Sequence, residues 1–219
     1  MSSKLRAQRG IKAVIFDADG VLQTYGDFPE YAEKKYGWDA KNYFDTLHSL
    51  FHDSRDYDRT LTGKGDAVSV LRGILPSFGW NHSAALFLRE WVSRNIVVRQ
   101  RMVESVARIR KCSIRCYMAT NQERHRARHM MRMAAYKDAF DAMFFSCDLG
   151  TKKPAERYFR KVVHAIALDP ENILFFDDHE GNISAARRIG MHAELYTDYR
   201  TYCGHVKKYI PSLVRSSKR

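Results

Sequence analysis

AVIFDADGVLQT, residues 13–24, sets two aspartates directly after an apolar run and follows them with a glycine. Residues 12–16 have the length and the β-branched and aromatic content of a buried strand. Asp17 and Asp19 follow at spacing i, i+2, and Gly20 allows the chain to turn tightly where the strand ends. Two carboxylates so placed cannot both enter a core, so they project at the strand's carboxyl end. On its own this turn fits either a solvated acidic loop or a cation site, because two neighbouring ionised carboxylates are relieved by a divalent metal, and Mg²⁺ prefers such oxygen ligands. A calcium loop fits poorly. It wants acids or amides at its first, third and fifth positions and glycine at the sixth, whereas here glycine comes fourth and a strand precedes.

Working outward, the runs 114–119, 142–146 and 173–176 read as further buried strands, with a fifth at 192–196. Amphipathic stretches of helical length lie between them at 122–135, 155–168 and 182–189, the last ending at Gly190, a residue suited to a helix C-terminus. This alternation predicts an α/β fold, a doubly wound Rossmann-like parallel sheet with helices on both faces. The segment after the first strand differs. Residues 28–36, 41–52, 66–75 and 83–93 show helical apolar spacing, broken at Gly37, Gly63, Gly65, Pro76 and Gly79. A helical block inserted there is a small cap over the carboxyl edge of the sheet, the edge at which open α/β sheets bind ligands. The expected division is a core of residues 1–24 and 95–219 with a helical cap domain of residues 25–94.

The chain has 219 residues, 45% of them hydrophobic, with 12 Phe, 12 Tyr and 3 Trp, which excludes a disordered polymer and suits one packed core with an insertion. No apolar run approaches the roughly 20 residues that span a bilayer, and the opening residues MSSKLRAQRGIK lack the apolar stretch of a secretory signal; the expected address is the cytoplasm and no membrane partner is expected. Cys112, Cys116, Cys147 and Cys203 match no common zinc or redox spacing and read as reduced, packed thiols. The formal charge of +12 attracts anions of any kind. Its basic residues are scattered over a short tail (Lys4, Arg6, Arg9, Lys12), two helical stretches at 99–111 and 124–132, and the terminus (Arg215, Lys218, Arg219), and they read as solvated faces rather than a nucleic-acid footprint.

Three more elements fall at predicted strand ends. Thr120 and Asn121 stand between the second strand and its helix, where a hydroxyl and free backbone N–H groups make either an anion site or an ordinary helix cap. Lys153 precedes Pro154, which suits the first turn of a helix, and reads either as a surface lysine or as one reaching over the strand ends. Asp177 and Asp178 close the fully apolar run before them, where carboxylates are costly unless exposed or coordinated. Each element alone admits a bland reading. Together they converge on one sheet edge, with four carboxylates for a cation and a hydroxyl and an ammonium for an anion.

In this order and spacing, DADGVL, ATN, KKP and FFDDHEGN resemble the four motifs of the haloacid dehalogenase superfamily, in the branch with a helical cap between the first and second motifs. The resemblance implies Asp17 as a nucleophile that forms an aspartyl-phosphate and Asp19 as the acid that protonates the leaving oxygen and then activates water. It implies Thr120 and Lys153 as holders of the phosphoryl oxygens, with Asn121 beside them, and Mg²⁺ between Asp17, the backbone carbonyl of Asp19 and Asp178, with Asp177 as a supporting ligand or a group behind it. Lys153 is preferred to Lys152 because Pro154 fixes the register. The dehalogenases of the superfamily lack the second acid, so Asp19 argues for phosphate over halide. His179 follows the acidic pair where members of the superfamily often have Ser, and Asn182 stands where Asp, Gly or Asn are found; neither removes a required group.

The implied activity is a Mg²⁺-dependent phosphatase acting on a small phosphomonoester, a sugar phosphate or similar metabolite. The alternatives are a sugar phosphomutase on the same scaffold and a non-catalytic anion or nucleic-acid binding module. In the cap, the loop TLTGKGD offers Lys64 to the substrate, with His52, Arg55 and Arg59 near it in sequence.

Overall fold

The computed structural model describes residues 10–50 and 54–215. Lys4, Arg6, Arg9, His52, Lys218 and Arg219 lie outside them. In chain order, β1 (Ala13–Phe16) and β2 (Gln23–Thr24) are followed by α1 (Phe28–Tyr36), α2 (Ala40–His48), α3 (Arg55–Thr60), α4 (Ala67–Ile74) and α5 (Ala84–Arg94). Then come β3 (Val97–Val98), α6 (Gln100–Arg110), β4 (Arg115–Thr120), α7 (Arg124–Arg132), α8 (Ala134–Lys137), β5 (Ala142–Phe145) and α9 (Ser146–Leu149). The chain ends with α10 (Glu156–Ile166), β6 (Ile173–Asp177), α11 (Glu180–Arg188), β7 (His192–Leu195), α12 (Tyr199–Tyr209) and α13 (Ser212–Arg215).

Five strands form one sheet in the order β5-β4-β1-β6-β7, and every pairing in it is parallel. Alternation along β1, β4 and β6 sends successive side chains to opposite faces. Val14, Phe16, Cys116, Met118, Leu174 and Phe176 pack with Met102, Val106 and Ile109 of α6, Ala127 and Met130 of α7, and Tyr202 and Val206 of α12. Ala13, Ile15, Tyr117, Ala119, Ile173 and Phe175 pack with α10 and α11 through Tyr158, Phe159, Val162, Ile166, Ile183 and Ala186. Burial on both faces explains why these strands read as continuous apolar runs. The chain leaves β1 first toward β4 and later returns to β6 on its other side, so the order reverses at β1, which is where such sheets open a crevice for ligands.

The five helices α1–α5 build a separate apolar cluster around Phe28, Trp38, Tyr43, Leu71, Trp80, Phe87 and Trp91. Among the described residues no strand lies between α1 and α5. Side-chain caps start several of these helices, with Asp39 accepting from the Lys41 N–H, Ser54 from Tyr57, Asp66 from Ser69 and Ser83 from Leu86. The block touches the loops and short helix starts that follow the core strands. Lys152 pairs with Asp58, the His125 ring meets Asp66 at 3.0 Å, and Gly63, at φ +71°, lies so close to the core that a Cβ there would stand 2.3 Å from the Cys147 carbonyl oxygen.

Some expected bounds shift. The second long strand begins at Arg115 and takes in Thr120. The helix expected over 122–135 breaks at Met133, whose ψ of 129° is extended. Pro154 does not sit in the first turn of α10, which starts at Glu156 with Ala155 as its cap. The helix α3 and the antiparallel ribbon of β2 with β3 were not foreseen; a six-residue helix and two-residue strands are too short to show a period.

Phe176 stacks on Phe16 at 5.9 Å and meets Tyr202 edge-on at 4.8 Å. Phe176→Ala is expected to cost about 3–5 kcal/mol, measured as a lower urea midpoint at unchanged slope; a loss under about 1 kcal/mol contradicts this packing.

Candidate active site

The ends of β1, β4 and β6 and the turn before α10 bring Asp17, Asp19, Thr120, Lys153, Asp177 and Asp178 to one edge. Beyond β1 the Asp17 N–H still bonds the Phe176 carbonyl at 2.9 Å, so the sheet fixes the first aspartate. The chain then turns sharply: the Leu22 N–H reaches the Ala18 carbonyl at 2.8 Å. Gly20 has φ +77°, and a Cβ on it would lie 1.8 Å from Asp178 Oδ2. The positive φ therefore favours glycine here, and a Cβ would push the Asp178 carboxylate out of its present approach.

Lys153 is 3% exposed, and its Nζ lies 2.8 Å from Asp17 Oδ1 and 2.5 Å from Asp177 Oδ2. The third motif is held in place by the second. Asn121 accepts the Lys153 backbone N–H at 2.9 Å and donates its side-chain N–H to the Lys153 carbonyl at 3.0 Å. Both ends of its side-chain amide thus hold the lysine loop. Asp177 is also committed: besides Lys153 it accepts from the His179 N–H and the Asn182 amide, each at 2.9 Å. Asp178, by contrast, is exposed. Ligand oxygens of Asp17, Asp177 and Asp178 lie within 4.8 Å of one another, a grouping able to hold a metal ion. Thr120 is buried, its hydroxyl accepting from the Gln122 amide at 3.1 Å.

Asp19 has surroundings that sequence reasoning missed. The Arg126 guanidinium grips it with both forks, Nη1 to Oδ2 at 2.7 Å and Nη2 to Oδ1 at 2.8 Å. Gln23 donates to Oδ1 at 2.8 Å and Gln122 to Oδ2 at 2.7 Å. Arg126 lies in the basic stretch 124–132 that reads as a solvated face, but α7 buries Arg126, Ala127 and Met130. The available signal was that Arg126 and Met130, four apart, share one helix face. The α7 N-terminus is fixed by Glu123, whose carboxylate accepts the His125 and Arg126 N–H groups at 2.7 and 2.5 Å. Lys64 stands exposed on the turn after α3, and neither it nor Arg59, which pairs with Asp56, meets a site carboxylate.

The electrostatics divide the two acids. Burial pushes the Asp17 carboxyl up to about 7, opposed by Lys153 and aided by Asp177. Desolvation pushes Asp19 up too, but the Arg126 charge and the hydrogen bonds from Arg126, Gln23 and Gln122 override it and hold Asp19 below the ordinary value. Burial and the neighbouring Asp177 raise Asp178.

Because Asp17 titrates higher in the folded chain than in the unfolded one, its contribution favours folding below about pH 4 and is lost as pH rises toward about 7. In chelator, the melting temperature of Asp17→Asn relative to the parent is expected to climb between pH 4 and pH 7 and then level off. A difference that is flat with pH contradicts the assigned environment of Asp17.

Comparison with known proteins gives the fold and the family. The chain is 26% identical over 197 residues to mouse acyl-CoA dehydrogenase family member 10, matching 84% of itself and 18% of that protein. It is 26% identical over 110 residues to the sesquiterpene phosphatase astK of Aspergillus oryzae, matching 50% of itself and 56% of that protein. The chain therefore spans about a fifth and about half of the lengths of these relatives. In fold it is similar to the HAD family enzyme bt-2542 of Bacteroides thetaiotaomicron in complex with magnesium and inorganic phosphate, with a TM-score of 0.71 at 19% identity, covering 88% of this chain and 99% of that one. It is also similar to L-2-haloacid dehalogenase of Xanthobacter autotrophicus, at 0.67 and 17%, covering 93% and 86%. The profile of the haloacid dehalogenase-like hydrolases matches residues 11–190, and the chain belongs to that family.

Proposed function

We propose that the protein is a Mg²⁺-dependent phosphatase that hydrolyses a small phosphomonoester, a sugar phosphate or similar phosphorylated metabolite, through an aspartyl-phosphate on Asp17. The observation that carries this reading is the buried ammonium of Lys153 beside the Asp17 carboxylate at 2.8 Å, with the exposed carboxylate of Asp178 next to both. A nucleophile, a cation to neutralise phosphoryl oxygens and an acceptor for a metal stand within one strand edge.

The donor set fits Mg²⁺. Asp17 and Asp178 supply carboxylate oxygens, the Asp19 backbone carbonyl is a third ligand in this reading, and the space Gly20 leaves lets Asp178 approach the first loop. Asp177, tied to Lys153, Asn182 and His179, serves behind these ligands. When bound, the cation neutralises charge on the transferring phosphoryl group.

The chain's own residues carry the steps. Lys153 and the Thr120 hydroxyl hold phosphoryl oxygens while Asp17 attacks phosphorus and the bond to the leaving oxygen breaks. Asp19, ionised and saturated with donors at rest, is released and takes up a proton from solvent, then gives that proton to the leaving oxygen. Asp19 then takes a proton from the water that attacks phosphorus, the Asp17–phosphorus linkage opens, and phosphate leaves. The second acid favours phosphate over halide, because an alkoxide leaving group needs a proton and a halide does not.

The helices α1–α5 act as a cap in this reading, with a boundary near residues 25 and 94, closing the site from water. The sesquiterpene phosphatase among the relatives and the phosphate-bound fold neighbour support phosphoryl chemistry on a small organic molecule. All four cysteines are free thiols, which suits a cytoplasmic location. Among the described residues no helix is long and apolar enough to cross a membrane.

A phosphate-release screen over a panel of phosphorylated metabolites with Mg²⁺ tests the reading. On the best substrate, Asp17→Asn is expected to lose at least about 10³-fold in kcat, and Asp178→Asn to need roughly 10–100-fold more Mg²⁺. An Asp17→Asn protein as active as the parent overturns the mechanism, and isomerised sugar phosphate in place of free phosphate turns it into a mutase.

A further inference from the structure

Asp19 offers two oxygens with four in-plane acceptor positions, and the structure fills all four: Gln23 and Arg126 Nη2 on Oδ1, Gln122 and Arg126 Nη1 on Oδ2. No position is left for a proton or for a leaving-group oxygen. For Asp19 to reach the leaving group it has to give up a donor, and turning away from Arg126 opens a position on each of its oxygens at once. The consequence falls on the arginine. Arg126 is 6% exposed and cannot shed its charge, and a buried charge without a counter-charge is strongly disfavoured. Its Nε is buried and already has no partner, so the guanidinium has donating capacity that the chain does not use.

The position of Arg126 says what can replace Asp19. One side of the guanidinium faces the acid, and Trp91 of α5 lies 5.6 Å from its carbon on another side. The guanidinium therefore stands between Asp19 and the helical block, beside the acid that meets the leaving oxygen in the phosphatase reading. The Gln122 side-chain carbonyl, 3.0 Å from Nη1, is neutral and does not supply a counter-charge.

We propose that Arg126 is a specificity-determining residue that takes an anionic group on the leaving-group side of the substrate in exchange for Asp19. This rests on the phosphatase reading above and narrows it. The substrate is a phosphoric ester or anhydride whose leaving group carries its own oxyanion, either a second phosphate or a carboxylate. A substrate with a neutral leaving group leaves Arg126 with the neutral Gln122 carbonyl and no salt bridge when Asp19 departs, and is turned over poorly. The fork of Arg126 matches the planar or tetrahedral oxyanion in the same two-point way as it now matches Asp19.

Matched pairs test this: an alkyl diphosphate against the same alkyl monophosphate, and phosphoglycolate against ethyl phosphate, with Mg²⁺. The first member of at least one pair is expected to be favoured by about 10²-fold or more in kcat/KM; the pair that shows the preference identifies phosphate or carboxylate as the recognised group. Arg126→Gln and Arg126→Lys are expected to lose most of that preference while still melting cooperatively. Equal kcat/KM within both pairs, or a preference that survives in Arg126→Gln, overturns the proposal.

A second measurement needs no turnover. Calorimetry with Mg²⁺ compares methylenediphosphonate with methylphosphonate on the parent protein and on Arg126→Gln. Tighter binding of the diphosphonate to the parent that is lost in Arg126→Gln supports the role of Arg126 even if no ester is hydrolysed, in which case the phosphatase reading alone fails. Turnover with equal binding of the two phosphonates overturns the role of Arg126 and leaves the phosphatase reading standing.

Discussion

The ammonium of Lys153, buried between Asp17 and Asp177, ties the end of β1 to the end of β6 across the loop that precedes α10. Charges this deep are stable only when they are paired and their remaining lone pairs are filled, and the surrounding residues meet that demand. Asn121 grips both backbone groups of Lys153, and Asn182 and the His179 N–H fill the second oxygen of Asp177. Segments distant in sequence, at Asp17, Asn121, Lys153 and Asp177, are thereby fixed to one another by ion pairs and hydrogen bonds, on a sheet whose central strand β1 is wholly apolar. The sheet supplies rigidity and the ion pairs supply register at its edge.

The same demand gives the two acids of the first loop different characters. Asp17 is buried with too little positive charge to offset its desolvation, so its carboxyl is raised. Asp19, two residues on, keeps 28% of its side chain accessible and yet is held ionised, because Arg126 and two glutamines saturate it. A group raised toward neutrality is relieved by a bound cation, and Asp178 stands exposed where that cation is proposed to sit. A group saturated with donors has to be released before it can act. Environment rather than residue type thus assigns separate proposed tasks to two identical side chains.

Much of this was legible in the residues. The apolar strands and the acids that end them follow from period and burial alone, and Gly20 announces the turn that brings Asp178 close. The order of the four motifs placed Asp17, Lys153, Asp177 and Asp178 at a common edge, and they lie there. What could not be read is which polar groups pair with which. Asn121 next to a strand end gives no sign that its amide grips the Lys153 backbone. Arg126 looks like one of several solvated arginines in a basic helix, because sequence shows charge but not the rotation of the helix about its axis. Lys64 looked well placed in a glycine-flanked loop, but that loop uses its glycine to pack Gly63 against Cys147 and leaves the lysine in solvent.

The central claim is that a covalent bond to Asp17 lies on the reaction path. It is tested most directly by acid-quenching the protein within one turnover of its best substrate and locating phosphate on its peptides by mass spectrometry. The account predicts one phosphoryl group on the peptide containing residues 13–24, attached at Asp17, appearing before free phosphate and absent from Asp17→Asn. Free phosphate released in the first turnover with no phosphorylated Asp17 at any quench time contradicts it.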